Sequence, residues 1–425
     1  MESSARQADP GAPRASRRFS ARRRRRLAAT TLVALLLLAG GGYVAAVAAT
    51  PLPELNATLE VDAEVRIDAD PAGAVAAVAG QARPTALGWA EGEEVWANSE
   101  EVLEIASITK LVTVLVGLSA APIDPANDPG YEVTAADAKS RDEMLAVAGL
   151  VEDTPIGLRL PSRQLLELIL LPSANNYAIS YARSIFGDDA AFAQAAAAWA
   201  QANGLTSLRV VEPTGISPEN VSNPSDLIRL ARLALADPLI AEIVAQSSAD
   251  IPGIGVIEST NPLLGLDGVV GLKTGTTYRA GYNLLAARHD PVGERWLTAI
   301  TVVLAREGSA QRADDAWAVL EAALVTDQAV AVVAEGGRIG SVTTWTGEEV
   351  ALVTTAGADA VIIPGESVVR SNALGEVGAG SAGTAVGPGL VTGPTEVAPI
   401  PVVTAAPIEE PDLWWRLTHP GEVFG

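Results

Sequence analysis

Ala106-Ser107-Ile108-Thr109-Lys110-Leu111 opens an apolar stretch, Ser107 to Leu118, that predicts a helix. On a helix, side chains three residues apart are neighbours, with Cβ atoms ~5–6 Å apart. The hydroxyl of Ser107 is therefore set beside the amine of Lys110. A lysine buried in an apolar helix loses part of its preference for charge, and its pKa falls. In its neutral form it can take the serine proton and make that serine a nucleophile. A serine three residues before a lysine is weak by itself, because a surface lysine at a helical turn reads the same way.

Two further segments lie downstream. Pro172-Ser173-Ala174-Asn175-Asn176-Tyr177 follows a predicted helix that ends at Pro172. It sets a hydroxyl and an amide two residues apart, able to point into one cleft. Helix capping is the commoner use of such residues. Gly271-Leu272-Lys273-Thr274-Gly275-Thr276-Thr277 lies on or beside a strand edge. Gly275 removes the side chain where another molecule's backbone would approach. A lysine next to open backbone donors makes a place for a carboxylate.

Composition narrows the chemistry. The chain has 425 residues, no cysteine, two histidines and a net charge of −22. Absent cysteine excludes disulfides, thiolate catalysis and cysteine-ligated metal. His289 and His419 leave little room for a zinc site or a histidine-based triad, and both read as solvated. Lysine occurs only at Lys110, Lys139 and Lys273. The bases available to an enzyme are thus carboxylates or lysines. No metal and no cofactor is implied. Residues 1–26 hold nine arginines against Glu2 and Asp9, a charge of +7, which leaves −29 on the rest. Such an acidic body argues against nucleic-acid binding.

Arg22 to Arg26 run into Leu27 to Thr50, which contains no charged residue. As a helix these 24 residues reach ~36 Å, enough for a ~30 Å hydrocarbon core. The basic flank (1–26) predicts a cytoplasmic N-terminus with everything after Thr50 exported. An uncleaved membrane anchor over 27–50 is the favoured reading, because the span exceeds a signal core of ~7–15 residues. A signal peptide cleaved near Ala46-Val47-Ala48, giving a secreted protein, is the competing one.

Residues 55–327 read as one α+β unit. Val61 to Ala69 alternates like a half-buried strand, and Ala74 to Ala79 reads as a second short strand. Ser162 to Leu171, Ala178 to Ala202 and Leu227 to Leu235 read as helices. Val269–Lys273, Tyr282–Arg288 and Trp296–Leu304 read as consecutive strands, with a turn over His289 to Glu294 and a closing helix from Ala313 to Leu324. Helices packed on an antiparallel sheet are the expected architecture. Residues 329–374 suggest a small all-β domain, 375–410 a Gly/Pro-rich linker, and 411–425 a tail in which Trp414 and Trp415 pack back on that domain or meet a membrane surface.

The ordered set Ser107-x-x-Lys110, Ser173-x-Asn175, Lys273-Thr274-Gly275 is specific although its parts are not. It resembles the penicillin-binding protein and serine β-lactamase superfamily. Ile105-Ala-Ser-Ile-Thr-Lys110, Leu171-Pro-Ser-Ala-Asn-Asn176, Pro213-Thr-Gly-Ile216 and Leu272-Lys-Thr-Gly-Thr-Thr-Tyr-Arg-Ala-Gly-Tyr-Asn283 narrow this. They look like the D-alanyl-D-alanine carboxypeptidases of serine peptidase family S11, over roughly Leu55 to Leu324. Ile105 departs from the proline common in that family. The lysine-poor, alanine-rich composition suggests an actinobacterial origin.

The resemblance implies a penicillin-binding transpeptidase-type fold and a set of roles. Ser107 attacks the carbonyl of the penultimate D-Ala in a peptidoglycan stem peptide, with Lys110 as base. Ser173 relays a proton to the leaving amine. Asn175 holds the substrate amide and steadies Lys110. Lys273, Thr274 and Gly275 receive the terminal carboxylate, and Lys273 disfavours charge on Lys110. The N–H groups of Ser107 and Thr276 form the oxyanion hole. β-Lactams are implied as covalent inhibitors. A β-lactamase, an endopeptidase or transpeptidase of the same superfamily, and a non-catalytic wall-binding protein are the alternatives. No Glu-x-x-Leu-Asn segment between Asn175 and Lys273 supports the first.

Overall fold

Alternation along two long strands builds the sheet and both of its cores. In the strand Gly281–Val292, Leu285 and Ala287 enter one hydrophobic cluster while Leu284 and Ala286 enter another. In Arg295–Arg306, Ile300, Val302 and Leu304 face the first cluster, and Leu297, Ala299 and Val303 the second. A strand with both faces covered carries apolar residues at successive positions, which is what these runs show. The computed structural model describes residues 16–326 and 328–425. It arranges five antiparallel strands in the order Val269–Thr277, Gly281–Val292, Arg295–Arg306, Thr85–Trp89, Val95–Ala97.

One face is covered by Ala72–Ala79 and Ser309–Thr326. The other is covered by the helical region, including Thr109–Ala120 and Pro224–Ala236. Thr109–Ala120 is buried almost all round and forms the centre of the larger core.

Several sequence expectations change. Ala74 to Ala79 is helical rather than extended: Ala74 and Val78, one turn apart, bury against the second core. A run of six small apolar residues does not distinguish the two periods. The expected helix Ala178 to Ala202 is two helices, Asn175–Phe186 and Asp189–Ala202. Gly187 at φ +88° ends the first, and the Asp188 carboxylate accepts from Ala191 N to start the second. The turn expected over His289 to Glu294 shrinks to Gly293-Glu294, because the strands run on to Val292 and resume at Arg295. His289 is half-buried, with Nδ1 2.8 Å from Thr298 Oγ1 and its ring stacked on Trp296. His419 is exposed, its ring stacked on Trp415.

The β module is larger than the sequence suggests. Leu55–Leu59 and Glu64–Asp68, read as part of the unit 55–327, pair instead with Arg338–Thr343 and Ser367–Asn372. Alternation identifies a half-buried strand but not its partner. Residues 375–410 are not a free linker. Ala385–Thr392 and Ile400–Thr404 are inner strands of the same eight-stranded sheet, burying Val386, Ile400 and Val402. Their glycines and prolines serve packing. A Cβ on Gly387 would lie 2.0 Å from the Ala373 carbonyl oxygen. Pro388 and Pro401 face each other, and their carbonyls accept from Ala373 and Thr355. The Gln328–Val333 and Ala358–Ile362 pair completes the module.

The first helix, Ser16–Ala49, includes the apolar span; residues 1–15 of the basic segment and the boundary residue Asp327 lie outside the described residues. The tail forms two short helices, Leu413–Thr418 and Pro420–Phe424. The first packs on the end of the N-terminal helix, rather than mainly on the β module: Tyr43 donates to the Leu417 carbonyl at 2.9 Å, and Arg416 donates to the Thr50 carbonyl at 2.9 Å.

Gly387→Val is expected to destabilise the β module by about 1–3 kcal/mol, as overpacking of a close strand contact does. Differential scanning calorimetry would show a lowered transition temperature; an unchanged thermogram would contradict the account of residues 375–410.

Candidate active site

Ser107 sits in a single 3₁₀ turn, Ala106–Ile108, at the mouth of the helix Thr109–Ala120. Ala106 takes φ +48° and Ser173 takes φ +66°. A non-glycine residue in that region is strained by about 1–3 kcal/mol and persists where its surroundings over-determine it. The surroundings here are tight. A Cβ on Gly215 would meet the Ala106 carbonyl oxygen at 2.0 Å. One on Gly275 would meet the Ile105 carbonyl oxygen at 2.5 Å and Ser107 N at 3.3 Å. Gly275 thus serves close approach to the chain's own Ser107 turn. Asn283 ties the same region together: its Nδ2 donates to the Glu104 carbonyl at 3.0 Å, and its Oδ1 accepts from Ala305 N at 2.8 Å.

Lys110 is fully buried. Its Nζ lies 2.9 Å from Ser107 Oγ, 2.7 Å from Asn175 Oδ1 and 2.7 Å from the Thr214 carbonyl. Three elements thus supply one acceptor for each ammonium proton. Burial lowers its pKa to about 7, against an opposing pull from the Glu212 carboxylate. Ser107 is half-buried and reachable.

Asn175 is the first residue of the helix Asn175–Phe186, so its side chain emerges where the preceding turn carries Ser173. Ser173 Oγ and Lys273 Nζ are buried, and neither has a hydrogen-bond partner. Buried polar groups are nearly always satisfied, so two unpaired ones beside the Ser–Lys pair fit a site whose last partners belong to a ligand. The Lys273 pKa is pushed well below its ordinary value, chiefly by burial, with repulsion from Lys110 and Arg312 adding to it. The repulsion between the two lysines thus falls on Lys273, while burial accounts for the shift of Lys110. Thr274 Oγ1 lies 2.6 Å from Thr260 Oγ1, and Thr260 N donates to the Leu171 carbonyl, which links this strand to the Ser173 turn.

Sequence reasoning missed Arg312. It lies at the start of the helix Ser309–Thr326, is 6% exposed, and donates to Thr276 Oγ1 at 2.9 Å and the Asn283 carbonyl at 3.3 Å. It sits 5.5 Å from the Tyr282 ring centroid. One arginine at a helix start carries no local signal; only the sheet's fold brings it to Thr276. Thr260 was missed for the same reason. Lys139 is a surface residue paired with Glu143 at 3.5 Å.

A five-stranded antiparallel sheet between helical layers, with a Ser–Lys helix under its edge strand, defines the penicillin-binding, serine β-lactamase-like fold class. The chain belongs to the peptidase S11 family, D-alanyl-D-alanine carboxypeptidase, whose model matches residues 95–307, half of the chain. A D-alanyl-D-alanine endopeptidase of Pseudomonas aeruginosa is 38% identical over 146 residues, 34% of this chain and 44% of the relative. A D-alanyl-D-alanine carboxypeptidase of Mycobacterium tuberculosis is 33% identical over 159 residues, 36% of this chain and 54% of the relative. The chain thus spans about half the length of these curated relatives. Among solved structures, the D-alanyl-D-alanine carboxypeptidase of Francisella tularensis shares the fold with a TM-score of 0.52 at 18% identity, over 78% of this chain and 94% of that one. A Streptomyces DD-transpeptidase gives 0.50 at 22% identity, over 56% and 95%.

Gly275→Ala is expected to slow covalent labelling of Ser107 by a fluorescent penicillin at least tenfold, since a misplaced nucleophile of even ~1 Å has effects of that order. Unchanged labelling kinetics would show that the strand and the nucleophile turn are not held in the contact described.

Proposed function

We propose that this protein is a serine-type D-alanyl-D-alanine carboxypeptidase that removes the terminal D-Ala from peptidoglycan stem peptides. The observation that carries the reading is the buried Lys110 amine, 2.9 Å from Ser107 Oγ, with a pKa of about 7. Lys110 takes the Ser107 proton as Oγ bonds to the carbonyl carbon of the penultimate D-Ala. The N–H groups of Ser107 and Thr276 receive the developing oxyanion, where one donor is worth about 3 kcal/mol of barrier. The C–N bond then breaks, and Ser173 passes a proton to the amine of the departing D-Ala. Water hydrolyses the resulting ester and restores Ser107. Asn175 orients the substrate amide and Lys110. Lys273, Thr274 and Gly275 receive the terminal carboxylate, with Arg312 behind Thr276 adding positive charge. β-Lactams acylate the same serine.

The P. aeruginosa and Escherichia coli relatives bear the name D-alanyl-D-alanine endopeptidase, which supports hydrolysis of crosslinked peptides as the second reading. The lysine-poor, alanine-rich composition supports an actinobacterial source, as does the mycobacterial relative.

We also infer an exported enzyme anchored in the cell membrane by an uncleaved N-terminal span. The described helix from Arg22 to Ala49 is long and apolar enough to cross a bilayer. The tail supports retention, because Arg416 and Leu417 engage Thr50 and Tyr43 across the segment where a signal peptide would be cut. Sequencing the N-terminus of the mature protein tests this: a start beyond Ala48 excludes the anchor.

The activity is tested by mixing the purified chain with a fluorescent penicillin, with diacetyl-Lys-D-Ala-D-Ala and with crosslinked muropeptides. Labelling at Ser107 and D-Ala release are expected, and Ser107→Ala abolishes both. Lys273→Ala lowers turnover at least tenfold with little change in melting temperature. Labelling without D-Ala release, but with muropeptide cleavage, moves the assignment to endopeptidase. Rapid penicillin turnover moves it to β-lactamase.

A pH profile checks the base. Below its pKa of about 7, Lys110 is protonated and cannot accept the serine proton; above it the amine is free. The labelling rate should therefore rise between pH 6 and pH 8 with a midpoint at about 7. A rate flat across that range would contradict Lys110 as base.

A further inference from the structure

Pro213-Thr214-Gly215-Ile216 has so far supplied one carbonyl, from Thr214, to Lys110. What shapes this loop is a single side chain. Glu212 Oε2 accepts from Thr214 N at 2.7 Å and Thr214 Oγ1 at 2.6 Å. Its Oε1 accepts from Gly215 N at 2.8 Å, Ser217 N at 3.1 Å and Asn220 Nδ2 at 2.9 Å. Five donors from one loop converge on one carboxylate, and among the described residues Glu212 makes no ion pair. A carboxylate takes only hydrogen bonds it can accept, so this arrangement needs an ionised acid and not an amide.

The loop so folded grips the first turn of the helix Thr109–Ala120. Thr113 Oγ1 donates to the Pro213 carbonyl at 2.8 Å, and Asn220 Nδ2 lies 3.3 Å from Thr109 Oγ1. Gly215, at φ +89°, lies against the strained Ala106. Two of these contacts, through Gly215 and Asn220, are made by residues that Glu212 ties directly.

We propose that Glu212 is a positioning residue of this site: its carboxylate folds the Pro213–Ser217 loop onto the Ser107 turn, and its negative charge balances the Lys110 amine. The proposal rests on the acyl-transfer reading above and extends it. The charged groups around Lys110 are few. Glu212 faces it from the loop, and Lys273 from the edge strand with Arg312 behind it; Asn175, on the facing helix, is neutral. Glu212 favours the charged amine, and burial opposes it. Removing only the negative member frees Lys110 of its proton at a lower pH, while it also loosens the Thr214 carbonyl.

The test is the rate of Ser107 labelling by a fluorescent penicillin across pH 5 to 10, in the full chain and in Glu212→Gln and Glu212→Asp. In the glutamine variant the acidic limb is expected to move down by about one unit, the shift that loss of one nearby charge produces. Its plateau should fall about tenfold, as misplacement does. The aspartate variant keeps the charge and shortens the arm, so its plateau falls while its midpoint stays. A glutamine variant with a lower plateau but an unmoved midpoint reduces Glu212 to a purely structural part and overturns the proposal. If that variant fails to fold by circular dichroism, an aspartate variant with an unchanged plateau overturns it equally. Failure of the unsubstituted chain to label would instead sink the acyl-transfer reading itself.

Discussion

One buried amine organises this protein. Lys110 has no access to water, so each of its protons must find an acceptor inside. The three it finds come from the Ser107 turn, the helix beginning at Asn175 and the loop carrying Thr214. Those elements are far apart in sequence. Holding them within hydrogen-bond range requires glycine at 215 and 275 and a left-handed turn at Ala106. The same burial that demands these partners also lowers the amine's affinity for its proton. Structural satisfaction and chemical reactivity are two consequences of one desolvated charge.

Much of this was legible in the sequence because each motif is local. A helix puts Ser107 beside Lys110 by its own geometry, and a turn followed by a helix start puts Ser173 near Asn175. The long strands were legible because both faces are buried and the apolar runs are long. Arg312 and Thr260 were not legible, since each acts across the fold on a residue remote in sequence, and Glu212, whose donors are near in sequence, sits in an unremarkable local context. The β module was misjudged for a related reason. Glycine and proline at 387, 388 and 401 have the composition of a linker, yet they sit where strands come too close for a side chain and where only a carbonyl is needed. Composition counts residues, whereas pairing depends on which backbone groups they present.

The charge distribution acquires a meaning from the site. The chain is acidic overall, at −22, yet it concentrates Lys110, Lys273 and Arg312 in one buried region. Gathering basic groups away from water sets them against one another, which is part of why Lys273 is pushed well below its ordinary pKa. The surface ion pairs, most of them built from arginine as Arg338 with Glu60 is, contribute little to stability individually.

The β module has strands from both sides of the catalytic unit. Leu55–Leu59 and Glu64–Asp68 precede it, and their partners begin at Arg338 and Ser367. If the chain crosses a membrane N-terminus first, these two strands emerge early and wait through roughly 270 residues of synthesis before any partner exists, a long loop to close. During that wait they are unpaired edges, prone to association with other chains. Glu64, Arg66 and Asp68 alternate along the second strand on its exposed side, which keeps the waiting edge charged. The order of assembly is thereby set by connectivity: the sheet around the Ser–Lys pair can complete itself first, and the module that joins it to the anchor closes last.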